Sequence, residues 1–307
     1  GRIQNGRFDS TRLDPNKRMS RITYHTVEKR TDYVEQIPPR EDTWAWVTAN
    51  GGEVHILEDS LLPEHTKYDG KKKVALIVES PAIYDYCKAG HSWVFHPYQW
   101  IKDNHQHFDV VMSPMTYLKE LVGDRYWWVP AGGNRIEMEN FGLWEKERTL
   151  SIVASDKQWT TGHKLRHQIV QKHKDKMDVY GRGFNDLVDR YDNNRRGKIL
   201  ALGPYYYSLA IMNSQYDDYF TEILTDVLAC ATIPIFWGTK NVGKYFNPDG
   251  IIQFETIEEF EAILPTLTPE LWQSKIAAVM ENVEKAKAYN TRFDWIYDNY
   301  KDKLEAL

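Results

Sequence analysis

Cysteine is nearly missing from this chain of 307 residues: Cys87 and Cys230 are the whole supply, and they lie far apart. That excludes a disulfide framework and points to a reducing compartment. Apolar runs longer than a strand are missing too, so no segment reads as membrane-spanning. No signal-peptide pattern is visible. The expected location is cytoplasmic, with room upstream of Gly1 for an anchor or leader. No GxGxxG follows a strand, and there is no Walker sequence and no paired CxxC. A surplus of positive charge is missing as well, and a net charge of −5 argues against nucleic acid as a partner. Basic residues gather only at the start. Residues 1–40 hold nine Lys/Arg against five Asp/Glu, so they carry +4 while the rest carries −9. This start reads as a solvated arm. His105 and His107 come nearest to a metal pair, but two His without a third ligand read as a polar loop, and no metal is expected. Asp189 and Asp192 read as solvated.

What is present is ordinary for a globular chain, 42% hydrophobic and 27% charged, with room for one large or two medium domains. Apolar strand-like runs alternate with helical patterns, which predicts parallel sheets. "WAWVTANGGEVHIL" carries two strand-like runs around Asn50-Gly51 and predicts a hairpin. "DGKKKVALIVESPAIY" predicts a buried strand at Val74–Val78, and "FDVVMSP" and "RYWWVPAGG" predict further strands. The pattern restarts at "TLSIVAS", with a helix predicted from Lys164 to His173. Residues 1–40 and "DLVDRYDNNRRGK" read as irregular, and the tail from Pro269 to Leu307 as helix in two pieces. The expected division is an extension with a hairpin over 1–70, a Rossmann-like domain over 71–150, a second over 151–268, and C-terminal helices over 269–307. Ligands of such an arrangement lie beyond the carboxyl ends of the strands.

The stretch "YYYSLAIMNSQYDDYFTEILTDVLACATIPIFWG", residues 205–238, outlines strand, loop, helix and strand. Phe220, Ile223, Leu224, Val227, Leu228 and Ala231 form one apolar stripe on a helix starting near Asp218, itself a candidate N-cap. Glu222 sits off that stripe in the first turn. It either caps the helix or accepts hydrogen bonds from ligand hydroxyls above it. Arg166 shares a helix face with Ile169 and Val170 and should point inward, where it needs an anion, either an internal carboxylate or a ligand. Glu79 ends the Val74–Val78 run, as a surface carboxylate before a Pro turn or as a group facing the cleft.

The same stretch resembles the signature of the α1,3-fucosyltransferases, the family-ten glycosyltransferases. Tyr205, Leu209, Asn213, Ser214, Tyr219, Thr221, Glu222, Pro234 and Gly238 match in order, and "IPIFWGTKNVGKYFNPDGII" and "GHKLRHQIV…DVYGRGF" extend the match. The resemblance covers about residues 150–264, weakens over 74–150, and is similar there to viral and bacterial relatives. It implies an α/β, GT-B-like fold of two Rossmann-like domains around a cleft. It implies inverting, metal-independent transfer of fucose from GDP-fucose to a glycan hydroxyl, with no cofactor beyond that donor. Glu79 is implied as the catalytic base. Arg166 is implied for the diphosphate, Glu222 for the ribose, and Tyr219, Thr221 and Asn213 for the rest of the donor.

The departures are specific. The pattern's Glu before Asn-Ser is Met212, its Lys after Thr-Glu is Ile223, and its Tyr-Lys is Tyr205-Tyr206. Lys240 and Lys244, or Arg182, are the expected replacements for the lost charge. The alternative is a degenerate member that uses another nucleotide sugar, or that binds glycan or nucleotide without turnover.

Overall fold

In the computed structural model, the described residues are 22–25, 39–48, 52–88, 95–185 and 195–307. Asn50-Gly51, Asp189 and Asp192 lie outside them. The chain builds two parallel sheets. The first contains β1 (Ile22–His25), β2 (Val47–Thr48), β3 (Val54–Glu58), β4 (Lys72–Leu76), β5 (Val110–Ser113) and β6 (Tyr126–Trp128), in the order β2-β1-β3-β4-β5-β6. The second contains β7 (Arg148–Val153), β8 (Asp178–Tyr180), β9 (Tyr205–Ile211), β10 (Ile233–Trp237) and β11 (Ile252–Gln253), in the order β11-β10-β9-β7-β8.

Two expectations for residues 1–70 are corrected. β2 and β3 do not form a hairpin; both run parallel to β1, which lies between them and takes a bonding edge of each. Residues 22–25, 47–48 and 54–58 are therefore strands of the first sheet, where 1–40 reads as irregular and 1–70 as an extension. Such pairing is non-local, and four residues carry too little pattern to announce it. α1 (Glu41–Trp46) precedes β2.

α2 (Pro81–Lys88), α3 (Pro97–Asn104) and α4 (Leu118–Val122) accompany the first sheet. α5 (Thr161–His173), α6 (Arg195–Leu202), α7 (Glu222–Ala229), α8 (Ile257–Ile263), α9 (Pro269–Ser274) and α10 (Ile276–Ala286) accompany the second. α6 corrects the irregular reading of its segment: Ile199 and Leu202 are buried and anchor it to the core. No helix among the described residues is long and apolar enough to cross a membrane.

The pleat of the strands sorts the core. In β9, Tyr207, Leu209 and Ile211 face one apolar cluster with α5 and α10, while Ala210 and then Met212 face another. In β4, Val74 and Leu76 face a third cluster, while Ala75 and then Ile77 face the same one as Ala210 and Met212. Period-two alternation thus makes the inner faces of both sheets share one core. That shared core is the floor on which the cleft rests.

The tail does not stay with the second sheet. α11 (Arg292–Glu305), the third helix of a segment expected in two pieces, returns to the first. Ile296 and Leu304 are buried beside Ile22, Val54 and Val74, with Tyr300 on the same face at helical spacing. Asp294 accepts from Thr43 Oγ1 at 2.8 Å and from Arg40 N at 2.9 Å. Arg292 pairs with Glu58 at 2.8 Å. The chain therefore crosses between sheets twice, after β6 and after α10. Asn134 laces the crossings together: its N–H donates to Tyr289 O and Asn290 O, both at 3.0 Å, and its Nδ2 to Ala286 O at 3.0 Å.

A charged group, Asp226, lies among the buried residues of α7. Asp226 accepts from Arg135 N at 2.7 Å and pairs with Lys198 of α6. Burial pushes its carboxyl above the ordinary value despite Lys198. Lys198→Met is expected to cost ~3–5 kcal/mol in urea unfolding, because it strands a buried charge. Protonating Asp226 removes that charge, so the loss should shrink as pH falls, and Asp226→Asn should recover part of it.

Candidate active site

The carboxyl ends of the two sheets face each other across a cleft. From the first sheet, the segment after β4 delivers Glu79. Its Oε1 accepts from Ser80 N at 2.9 Å, from Asn213 Nδ2 at 3.1 Å and from Tyr219 Oη at 3.3 Å. Asn213 follows β9, so this bond joins the two halves directly. Burial pushes the Glu79 carboxyl above its usual range, and the three donors oppose that only in part. Asp59, at the end of neighbouring β3, is also pushed up, by burial and by the nearby Glu58.

On the second sheet the strand order reverses between β7 and β9, and there α5 begins. Thr160 caps it, and Gly162 packs directly on the end of β9: its N–H donates to Asn213 O at 3.0 Å. A Cβ at Gly162 would lie 1.8 Å from Met212 O, so only glycine fits. One turn on, Arg166 is buried, and its Nε donates to Ile211 O at 2.8 Å, with Nη2 on the same oxygen. No carboxylate among the described residues forms an ion pair with it. Burial lowers its pKa to about 10, and the negative charge of Glu222 works against that.

Other cations gather around it. Burial lowers the pKa of Lys157, with Glu79 opposing and Arg182 and Arg166 adding to the fall. Burial, then Arg166 and Lys157, take His163 down to about 3. A buried guanidinium with no ion-pair partner among the described residues, beside a half-buried lysine that it disfavours, makes a site prepared for an external anion. α5 adds the positive end of its dipole at this point, although its Gly162 and His163 N–H groups are already bonded to Asn213 O and Thr160 Oγ1. Lys157 also sits over the Trp159 ring at 4.3 Å, and Trp159 stacks on Tyr86 of α2 at 5.4 Å.

Glu222 opens α7, half-buried, with Arg135 from the first crossing at 3.5 Å. Burial raises its pKa, but Arg135 and Lys198 outweigh that and hold the carboxyl below its ordinary range. Thr221, and not Asp218, caps this helix, its Oγ1 accepting from Ile223 N at 3.3 Å. Asp218 instead adopts a left-handed backbone, φ 63°, which Asp tolerates better than most residues. Its Oδ1 collects Lys244 Nζ at 2.7 Å, Asn241 Nδ2 at 3.1 Å and the Tyr245 hydroxyl.

The structure therefore brings Glu79, Asn213, Tyr219, Arg166, Thr221 and Glu222 to one region. Tyr219 is fully buried and offers the cleft no ring face. Lys240 and Lys244 stand apart from this group. Lys240 pairs with Glu255 at 3.7 Å and Lys244 with Asp218, while Arg182 binds Asp156 at 2.7 Å. Met212 lies in the apolar floor beneath Gly238, and Ile223 packs on the same core. Lys157, His163, Trp159 and Arg135 were not foreseen. The criterion that selects Glu79, a polar group just past a predicted strand, would also have found Lys157 and Trp159. Among the described residues, no group of three or more His, Cys, Asp or Glu is placed to hold a metal ion.

The profile of the family described as glycosyltransferase family 10 (fucosyltransferase) C-term matches residues 143–301, just over half of the chain. An alpha-(1,3)-fucosyltransferase of Helicobacter pylori is 34% identical over 68 residues, 22% of this chain and 14% of the relative. A putative fucosyltransferase-like protein of Arabidopsis thaliana is 26% identical over 133 residues, 43% of this chain and 23% of the relative. The chain thus matches less than a quarter of the length of these curated relatives. A crystal structure of alpha1,3-fucosyltransferase with GDP-fucose superposes with a TM-score of 0.55 at 18% identity, covering 92% of this chain and 90% of that one.

Gly162→Ala is expected to push α5 off β9 and part Arg166 from Ile211 O. The cost should be ~1–3 kcal/mol or more, the scale of overpacking. Thermal unfolding read alongside Gly203→Ala, a tight site at the far end of β9, should separate the local effect from generic crowding.

Proposed function

The chain belongs to glycosyltransferase family 10, and from that premise we propose that it transfers a sugar from a nucleotide-sugar donor, GDP-fucose in the first instance, to a glycan hydroxyl. Glu79 is the base in this reading. It removes the proton of the acceptor hydroxyl as that oxygen attacks the anomeric carbon. The bond from that carbon to the diphosphate breaks on the opposite face, which inverts the centre, and the electron pair leaves with GDP. Arg166 and Lys157, with the positive end of the α5 dipole behind them, hold the diphosphate and stabilise the charge it gains. Glu222, kept ionised by Arg135 and Lys198, accepts from the ribose hydroxyls. The reading needs no metal, because these cations carry the leaving charge.

The observation that carries it is the pairing of a buried carboxylate with raised pKa on one wall with Arg166, buried and without an ion pair among the described residues, on the other. The positive charge missing at Ile223 is supplied by Lys157, not by Lys240 or Lys244, whose partners are internal.

Titration with GDP, UDP, CDP and ADP, followed by a transfer assay on a glycan panel, tests the donor. Guanine nucleotides should bind, and transfer should persist in EDTA. Glu79→Gln should cut kcat by ~10²-fold or more while leaving donor affinity within a few-fold. Arg166→Ala should weaken donor binding by roughly ten- to a hundredfold. Because Glu79 acts ionised, kcat/KM should fall in acid with a midpoint above that of a free glutamate, and Glu79→Gln should erase that limb. Normal transfer by Glu79→Gln would remove the base assignment. Nucleotide binding without transfer to any acceptor would favour the non-catalytic reading.

A further inference from the structure

A second concavity lies at the other end of the second sheet. It is bounded by the segment leading into β7, by the start of β9 and by α9, and encloses about 920 Å³, within the range of small-molecule sites. β9 runs from Tyr205 to Ile211, about 20 Å at the usual strand rise, so this groove and the cleft are at opposite ends of one strand. Neither Glu79 nor Arg166 lines it.

Its walls are aromatic and held in place. Trp144 donates Nε1–H to Asn140 O at 3.2 Å and lies on Gly203, where a Cβ would come within 3.0 Å of the ring. Trp272 donates its own Nε1–H to Ala231 O at 3.1 Å. Tyr206 meets Trp272 edge to face, with centroids 5.6 Å apart. The rings have little freedom left to lose on binding. The Tyr206 hydroxyl makes no hydrogen bond among the described residues and stands half-exposed in the groove.

The polar lining is rich in acceptors. Glu145, Glu270 and Gln273 are exposed at the edge. The one cation of the lining, Lys146, spends its N–H groups on Gly203 O at 2.8 Å, Cys230 O at 2.9 Å and Thr232 Oγ1 at 2.8 Å. Nothing in the lining attracts an anion, and two carboxylates repel one. The matching ligand is uncharged, donates many hydroxyl hydrogens and has apolar C–H faces to lay on rings.

We propose that this groove is a second carbohydrate-binding site, which holds a neutral oligosaccharide on the half-exposed rings of Trp144 and Tyr206, with buried Trp272 as their backing, away from the cleft. It does not depend on the role given to Glu79 or Arg166.

The purified chain would be titrated with maltohexaose, cellohexaose and chitohexaose, followed by tryptophan fluorescence and saturation-transfer NMR. At least one should bind. Trp144→Ala with Tyr206→Ala should weaken it by about tenfold or more, the scale of losing a buried aromatic anchor. Glu270→Ala with Gln273→Ala, both on the exposed edge, should weaken it by a few-fold, and keeps the test decisive if the aromatic variant fails to fold. Arg166→Ala should leave it unchanged, and both groove variants should bind GDP as the wild type does. The proposal is overturned by no binding of any hexasaccharide at about 10 mM, or by binding that survives the groove variants and disappears in Arg166→Ala. Self-association lost in Leu143→Asp would assign the groove to a second copy and overturn it as well.

Discussion

The hydrogen bond from Asn213 to Glu79 is the point on which the site depends. One residue follows β9 of the second sheet and the other follows β4 of the first, so the bond exists only if both sheets end at the same level. That level is set by the shared apolar floor. Ala75 and Ile77 of one half pack with Ala210 and Met212 of the other. An apolar residue at position 212 serves this floor, which gives a physical reason for methionine where the family pattern carries glutamate.

Above the floor the charges are arranged asymmetrically. The first half supplies carboxylates whose burial disfavours ionisation, and the second supplies cations whose burial disfavours theirs, with neighbouring cations adding to the fall at Lys157. Each wall is electrostatically dissatisfied by itself. A ligand with an acidic diphosphate at one end and an ionisable hydroxyl partner at the other relieves both. Glu222 is the exception, already satisfied by Arg135 and Lys198, and so is suited to a neutral partner such as a hydroxyl pair.

The parallel strands were legible because buried runs such as "VALIV" and "IPIFW" have few other fates. Glu79 and Arg166 were legible as polar residues at strand-end and inward-facing helical positions. The rest was hidden for physical reasons. Lys244 and Asp218 meet across 26 positions, and no local pattern shows that the lysine is already occupied. Asp218 looks like a cap by residue type, but its left-handed backbone moves the cap to Thr221. β1 has meaning only beside β2 and β3. α6 opens on Arg-Arg-Gly-Lys, a poor helical start, and is held by Lys198 and its buried apolar residues.

The two inter-sheet crossings, bound together at Asn134, have a mechanical consequence. The two halves are held at this join as well as through their shared core and the Glu79–Asn213 bond. Gly133 leaves the join no slack, since a Cβ there would strike Asn290 O at 2.5 Å. A motion that parted Glu79 from Asn213 would have to be taken up elsewhere than at this tightly packed join.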